Sequence, residues 1–160
     1  MKSQGKSPAK VMSARTRTIL YTIAAVICLA GLADTIYLTV VAFTGEAAAC
    51  GNAPGCLEVL TSTYSRIGGM PISALGVPAY FAVFVFAILA CFGYSRAHRF
   101  FALTVWVMFA VTLWLLYLQA FKLHAFCRYC LFSAAIVFLL AGLVVVNPAP
   151  AGSEESEDKA

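Results

Sequence analysis

The pattern of apolar and polar positions divides the chain into four long apolar stretches separated by polar segments. The stretches cover residues 19–43, 75–92, 100–121 and 126–146. A helix needs roughly 20 apolar residues to cross a hydrocarbon layer about 30 Å thick. Each stretch reaches or approaches that length. The pattern therefore predicts an all-α integral membrane protein, built as a bundle of four transmembrane helices.

Composition agrees with this prediction. Of the 160 residues, 62% are hydrophobic and only 11% are charged, a balance that excludes an ordinary water-soluble domain. The remaining segments are predicted to be a basic tail over 1–18, an outer loop over 44–74, short connections, and an acidic tail over 147–160. Together these segments leave no room for a separate soluble domain. We expect one membrane domain over 19–146.

The basic residues predict how the helices are oriented. Five precede the first stretch and two flank the second connection: Lys2, Lys6, Lys10, Arg15, Arg17, Arg96 and Arg99. Because cytoplasmic segments are enriched in Lys and Arg, both regions are predicted to be cytoplasmic. The first and third connections then face outward, and an even number of spans returns the C-terminus to the cytoplasm.

This topology separates the six cysteines into two groups. Cys28 and Cys91 fall near the inner face and are interpreted as small buried apolar residues. The other four fall near the outer face, where disulfides persist. They form two pairs, Cys50 with Cys56 and Cys127 with Cys130.

The second pair is a C-x-x-C motif at the mouth of the last apolar stretch. Its spacing brings two sulfurs close enough to form and break a disulfide. Arg128 and the positive end of a helix starting near Leu131 would both favour a thiolate. The alternative is an inert structural pair.

The first pair encloses five residues rich in Gly, Pro and Asn, which bend easily. Such a loop lets Cys50 and Cys56 exchange partners without moving a helix. A permanent structural disulfide is one alternative. A zinc site made of all four thiolates is another, but structural zinc usually uses two tight cysteine knuckles, and this spacing fits poorly.

The segment between Cys56 and the second stretch alternates apolar and small polar residues. Leu57, Leu60 and Tyr64 could form one face of a short interfacial helix that covers the bundle as a lid. Pro71 and Pro78 are expected to delay the start of the following span.

The cysteine pairs, the Leu-Thr-Ser-Thr-Tyr-Ser run over 60–65 and the Gly-Met-Pro-Ile-Ser-Ala-Leu-Gly run over 69–76 resemble the vitamin K epoxide reductase family. The bacterial, quinone-linked members are the most similar. The resemblance covers roughly residues 17–146. It implies a four-helix bundle that encloses a quinone, ubiquinone or menaquinone, near the outer face of a bacterial inner membrane.

The resemblance also implies a role for each site residue and requires no metal. Cys50 exchanges with a separate exported thioredoxin-fold protein, Cys56 attacks Cys127, and Cys130 faces the quinone. Ser62 corresponds to the hydroxyl that binds a quinone oxygen. The implied activity is a quinone-dependent thiol-disulfide oxidoreductase that supports disulfide formation in exported proteins.

One departure from the family bears on substrate. Ala134 occupies the position where animal members carry a tyrosine, so bulk quinone is a better expectation than vitamin K epoxide. Two other classes of protein remain open. A non-enzymatic tetraspan subunit would need only the outer-loop disulfide, and a small transporter would use intramembrane charges such as Asp34.

Overall fold

The computed structural model describes residues 14–45 and 55–147, and it is dominated by long helices. Four of them are long: α1 (Ala14–Thr44), α3 (Ile72–Cys91), α4 (Ser95–Leu118) and α5 (Arg128–Val146). A short helix, α2 (Cys56–Thr61), lies in the connection between α1 and α3. A π-helical turn, Gln119–Leu123, continues α4 toward α5.

The four long helices form a closed ring. α1 packs against α3 and α5, and α4 packs against the same two helices. All four are long and apolar enough to cross a membrane, with spans over Arg15–Thr44, Ile72–Cys91, Arg96–Leu123 and Arg128–Val146. The predicted four-helix membrane fold is confirmed.

The helices extend beyond some of the predicted apolar stretches. α1 includes Arg15 and Arg17, and α4 begins at Ser95, five residues before the predicted start. Charged residues such as arginine favour helix as much as leucine does, so hydropathy marks the membrane-embedded part of a helix and not its ends.

Small residues allow α1 and α3 to pack closely. A Cβ placed on Gly31 would overlap the Tyr80 ring, so only glycine fits there without movement. Tyr80 belongs to a buried core together with Cys28, Val83 and Leu140. Many large apolar side chains point outward, such as Phe43 with 66% of its surface exposed. That outer surface suits lipid, which is as apolar as leucine.

The predicted short helix is present, but its membership differs from the prediction. α2 ends at Thr61, and Tyr64 lies in a separate 3₁₀ turn with 55% of its surface exposed. Among the described side chains of α2, Cys56, Val59 and Leu60 are buried. The predicted face is wrong for Tyr64, because Ser62 adopts an extended conformation and ends the helix before it.

A two-residue hairpin follows α2 and carries the chain into α3. Strand β1 (Arg66–Ile67) pairs with strand β2 (Met70–Pro71) in antiparallel register. Gly68 and Gly69 form the turn at φ values of 59° and 89°, which glycine adopts without steric cost. α3 begins directly after Pro71, and Pro78 lies inside it. The expected delay is wrong for Pro78, since transmembrane helices tolerate an internal proline.

Candidate active site

Two cysteines from distant parts of the chain lie in one buried cluster at the end of the bundle where α1 finishes. Cys56 and Cys127 are both fully buried there, packed with Leu38, Val59 and Leu60. Immediately before Cys56, Gly55 approaches the last connection so closely that a Cβ on it would lie 3.2 Å from the Ala125 Cβ. The loop cysteine is thus held against the segment that carries the C-x-x-C motif.

Cys127 caps the N-terminus of α5. Its sulfur accepts a hydrogen bond from the backbone N–H of Cys130 at 3.4 Å. Its own backbone N–H donates to Oε1 of Gln119 at 3.1 Å. The helix begins at Arg128, three residues before the predicted start, so both cysteines lie in or beside its first turn.

These contacts give Cys127 the character of a reactive thiol. A hydrogen bond from the Cys130 thiol lowers the pKa of Cys127 from 9.0 to about 7, against the opposing effect of burial. The backbone N–H groups of Cys130 and Tyr129 lower the pKa further. Free N–H groups at a helix N-terminus stabilise a thiolate in this way. The main cause is therefore Cys130 and not Arg128, whose guanidinium lies 5.6 Å from the centre of the Tyr129 ring.

Cys130 lines a large cavity inside the ring of helices. The cavity has a volume of about 520 Å³ and is bordered mainly by apolar side chains of α3, α4 and α5. Cavities of this size hold small organic ligands, and a few polar groups usually orient the ligand within an apolar lining. Cys130 is one of those polar groups, so the cavity brings a ligand next to one sulfur of the pair.

Further polar groups border the same cavity. The Tyr80 hydroxyl is 2.9 Å from the Ser133 hydroxyl, which lies one turn of α5 beyond Cys130. The Ser62 hydroxyl donates to the carbonyl oxygen of Val59 at 2.9 Å. Tyr80, Ser133 and Ser62 all line the cavity. They can orient a ligand that carries polar oxygens.

Asp34 lies in the middle of α1, next to the cavity residue Thr35. Only 9% of its surface is exposed, and its Oδ2 atom is buried without a hydrogen-bond partner among residues 14–45 and 55–147. An ionisable group inside a membrane span is costly and is usually retained for function. Asp34 is thus a buried acid inside the bundle whose Oδ2 atom none of the described residues satisfies by a hydrogen bond.

Residues 22–145 match the vitamin K epoxide reductase family. The chain belongs to this family. It is accordingly a multi-pass membrane protein and a thiol-disulfide oxidoreductase. Members of the vitamin K epoxide reductase family work in general with quinones and with thioredoxin-like partners.

Four of the five predicted site residues lie in the part of the chain that the structure describes. Cys56 is disulfide-bonded, whereas Cys127 and Cys130 carry free thiols. Ser62 is half-buried at the edge of the cavity that Cys130 also lines. Cys50 lies outside the described residues. Within 14–45 and 55–147, no cluster of three His, Cys, Asp or Glu side chains could hold a metal ion.

Three residues of the site were not predicted from the sequence. Tyr80 and Ser133 are 53 positions apart and give no local signal. Gln119 does give one, because it is an uncharged but strongly polar residue near the end of an otherwise apolar stretch, eight positions before Cys127. A buried amide in a membrane span needs a hydrogen-bond partner, and this requirement could have identified it.

Proposed function

We propose that this member of the vitamin K epoxide reductase family oxidises a separate exported thioredoxin-fold protein and passes the electrons to a membrane quinone. Electrons would travel through the outer pair, Cys50 and Cys56, and then through the inner pair, Cys127 and Cys130. The result would be new disulfides in exported proteins. A bacterial inner membrane, with both termini cytoplasmic and the cysteine end of the bundle outside, is part of this proposal.

The observation that carries the proposal is the different surroundings of the two C-x-x-C sulfurs. Cys127 is a buried member of the cluster that contains Cys56, and Cys130 packs against that cluster, but of the two only Cys130 borders the apolar cavity. Cys127 is therefore placed to exchange with the Cys56 thiol, and Cys130 is placed to meet a ligand dissolved in the membrane. A quinone fits such a cavity, because it combines an apolar ring and tail with two carbonyl oxygens.

The first half of the reaction is thiol-disulfide exchange between proteins. A thiolate of the partner attacks Cys50 in the Cys50–Cys56 disulfide, and Cys56 leaves as a thiolate. The second partner thiol then displaces Cys50, so that the partner is oxidised and the outer pair is reduced. Each exchange breaks one disulfide and forms another.

The second half transfers the same two electrons inward. Cys56 attacks Cys127 in the oxidised inner pair, and Cys130 leaves as a thiolate toward the cavity. Once Cys130 is protonated, Cys50 attacks Cys56 and releases Cys127 as a thiolate, which the Cys130 thiol stabilises by donating a hydrogen bond. The quinone supplies a two-electron, two-proton sink, after which the Cys127–Cys130 disulfide is restored.

Ser62 and Cys130 are the proposed quinone contacts. The Ser62 hydroxyl is at the edge of the cavity near the end of α2, so it could hydrogen-bond a quinone oxygen. Its present bond to Val59 is local and connects residues three positions apart, so exchanging it for a ligand would not disturb the rest of the bundle.

The test is quinone reduction by purified protein in lipid vesicles, followed by absorbance, with a reduced thioredoxin-fold protein as electron donor. Cys130→Ala should abolish turnover with any donor. Cys56→Ala should lose turnover with the protein donor but keep it with a small permeable dithiol, which can reduce the inner pair directly. Cys91→Ala is the matched control, since this half-buried cysteine at the end of α3 is not proposed to take part.

The expected pattern separates the relay from simpler explanations. If Cys56→Ala and Cys130→Ala both retain turnover driven by the protein donor, the two-pair route is wrong. If neither the parent protein nor Cys91→Ala reduces quinone at all, the quinone assignment is wrong.

A further inference from the structure

Gln119 connects the cavity to the reactive cysteine. It is only 3% exposed and lies where α4 gives way to the π-helical turn. Its Oε1 atom accepts the backbone N–H of Cys127 at 3.1 Å, and its side chain also borders the cavity. Isolated π turns of this kind are frequent at functional sites.

The hydrogen bond to Cys127 fixes which way the carboxamide points. Because the oxygen end receives an N–H, the NH₂ end is turned away from Cys127. Among residues 14–45 and 55–147 this NH₂ group has no hydrogen-bond acceptor. Gln119 borders the cavity, and its NH₂ nitrogen is not among the buried polar atoms without a partner, so the donor has access to a ligand in the cavity.

We infer that the Gln119 NH₂ group donates a hydrogen bond to a carbonyl oxygen of the quinone while its Oε1 holds Cys127. This inference rests on the proposed function and adds a specific binding residue to it. A quinone carbonyl oxygen only accepts hydrogen bonds, so it needs donors from the protein. Ser62 must give up its bond to Val59 before its hydroxyl can donate, whereas the Gln119 donor is already available.

The arrangement also links quinone binding to the position of the inner pair. One planar amide contacts both the ligand and the backbone of Cys127, and Cys130 lies in the first turn beyond it. A quinone held by Gln119 is therefore placed relative to the sulfurs by a single rigid group. Gln119 acts as a binding and positioning residue and does not take part in electron transfer.

The experiment compares two ligands of the same shape. 2,3-Dimethyl-1,4-naphthoquinone carries two carbonyl oxygens and no free ring position for thiol addition, and 2,3-dimethylnaphthalene lacks the oxygens. Binding to oxidised protein, in which no electrons pass to the quinone, is measured by quenching of the Trp114 fluorescence in a Trp106→Phe background, since Trp114 lines the cavity and is then the only tryptophan of the chain. The hydrocarbon is measured by competition.

Gln119→Met has a similar length but no hydrogen-bonding group. It should weaken binding of the naphthoquinone about ten-fold, the loss of one well-placed neutral hydrogen bond. Binding of the hydrocarbon should change less than two-fold. Phe121→Leu is the control, because Phe121 lies in the same π turn but points outward with most of its surface exposed.

Gln119→Glu tests the donor even if the methionine variant folds poorly. A glutamate can still accept the Cys127 N–H, but it donates only while protonated. Its naphthoquinone affinity, relative to the parent protein at each pH, should fall as pH rises and the carboxyl ionises. The hydrocarbon affinity relative to the parent should not fall in this way.

Two results would overturn the inference. One is parent-like naphthoquinone affinity in both variants, which would leave Gln119 with only the structural contact to Cys127. The other is an equal loss for the quinone and the hydrocarbon, which would indicate a collapsed cavity and no lost hydrogen bond. Failure of the parent protein to bind the naphthoquinone would refute the proposed function itself, and this inference with it.

Discussion

Replacing Cys130 with alanine removes the group that contributes most to the reactivity of Cys127. In the structure the Cys130 thiol is the main cause of the lowered pKa of Cys127, with backbone N–H groups at the start of α5 as smaller causes. The substitution leaves those N–H groups in place. The pKa of Cys127 should therefore rise from about 7 toward 9.0 without necessarily reaching it.

The size of the effect follows from the thiolate fraction. With a pKa of about 7, roughly half of Cys127 is thiolate at pH 7. A rise of one unit reduces that fraction about five-fold, and a rise of two units about 50-fold. The alkylation rate of Cys127 at pH 7 should fall by a factor between these limits, somewhat offset because a more basic thiolate is a better nucleophile.

The assay is the pH dependence of iodoacetamide alkylation, with Cys127 followed by peptide mass spectrometry in fully reduced protein. The rate should rise with pH through a midpoint near 7 in the parent protein and through a higher midpoint in Cys130→Ala. Cys130→Ser keeps a hydrogen-bond donor, so its midpoint should lie between those of the parent protein and Cys130→Ala. Cys91 provides an internal reference within each sample, since it lies far from the motif at the end of α3.

A midpoint that stays near 7 in Cys130→Ala would show that the Cys130 thiol does not lower the pKa of Cys127. The low pKa would then have to come from the N-terminus of α5 alone, and Cys130 would only receive electrons. A midpoint that rises equally in the alanine and serine variants would indicate a change in helix geometry and no loss of a specific donor.

Two further predictions concern the packing that positions the cavity. Gly31→Ala places a methyl group against the Tyr80 ring and should lower the free energy of unfolding by about 1–3 kcal/mol. Gly142→Ala is the control, because its methyl group meets no atom within 4 Å, and it should leave the free energy of unfolding unchanged or slightly raised. Tyr80→Phe removes the hydrogen bond to Ser133 and should cost about 0.5–1.5 kcal/mol. Thermal unfolding of each variant in the same detergent checks both predictions. Equal stability of the two glycine variants would contradict the close approach of α1 and α3, and a Tyr80→Phe variant as stable as the parent would contradict the value assigned to that bond.

The membrane fold and the family follow from the amino-acid sequence alone. Long apolar stretches identify transmembrane helices, because in lipid every backbone polar group must be hydrogen-bonded within its own segment. Hydropathy therefore predicts both the position and the helical structure of these segments. The C-x-x-C motif was equally visible, since its chemistry depends on residues only three positions apart. The short helix after Cys56 also followed from local sequence, although the residues on its buried face did not.

Which groups surround each sulfur depends on how the helices pack in three dimensions. Cys56 shares a buried cluster with Cys127, Tyr80 contacts Ser133, and Cys130 borders the cavity because of how four helices are rotated and offset against one another. Those rotations depend on close contacts such as Gly31 against Tyr80, which involve residues far apart in the chain. Periodicity was uninformative here because these helices are apolar on nearly every face. The bond between Gln119 and Cys127 spans only eight residues, but it exists because a π turn and a left-handed His124 redirect the chain between them, and hydropathy carries no signal for either.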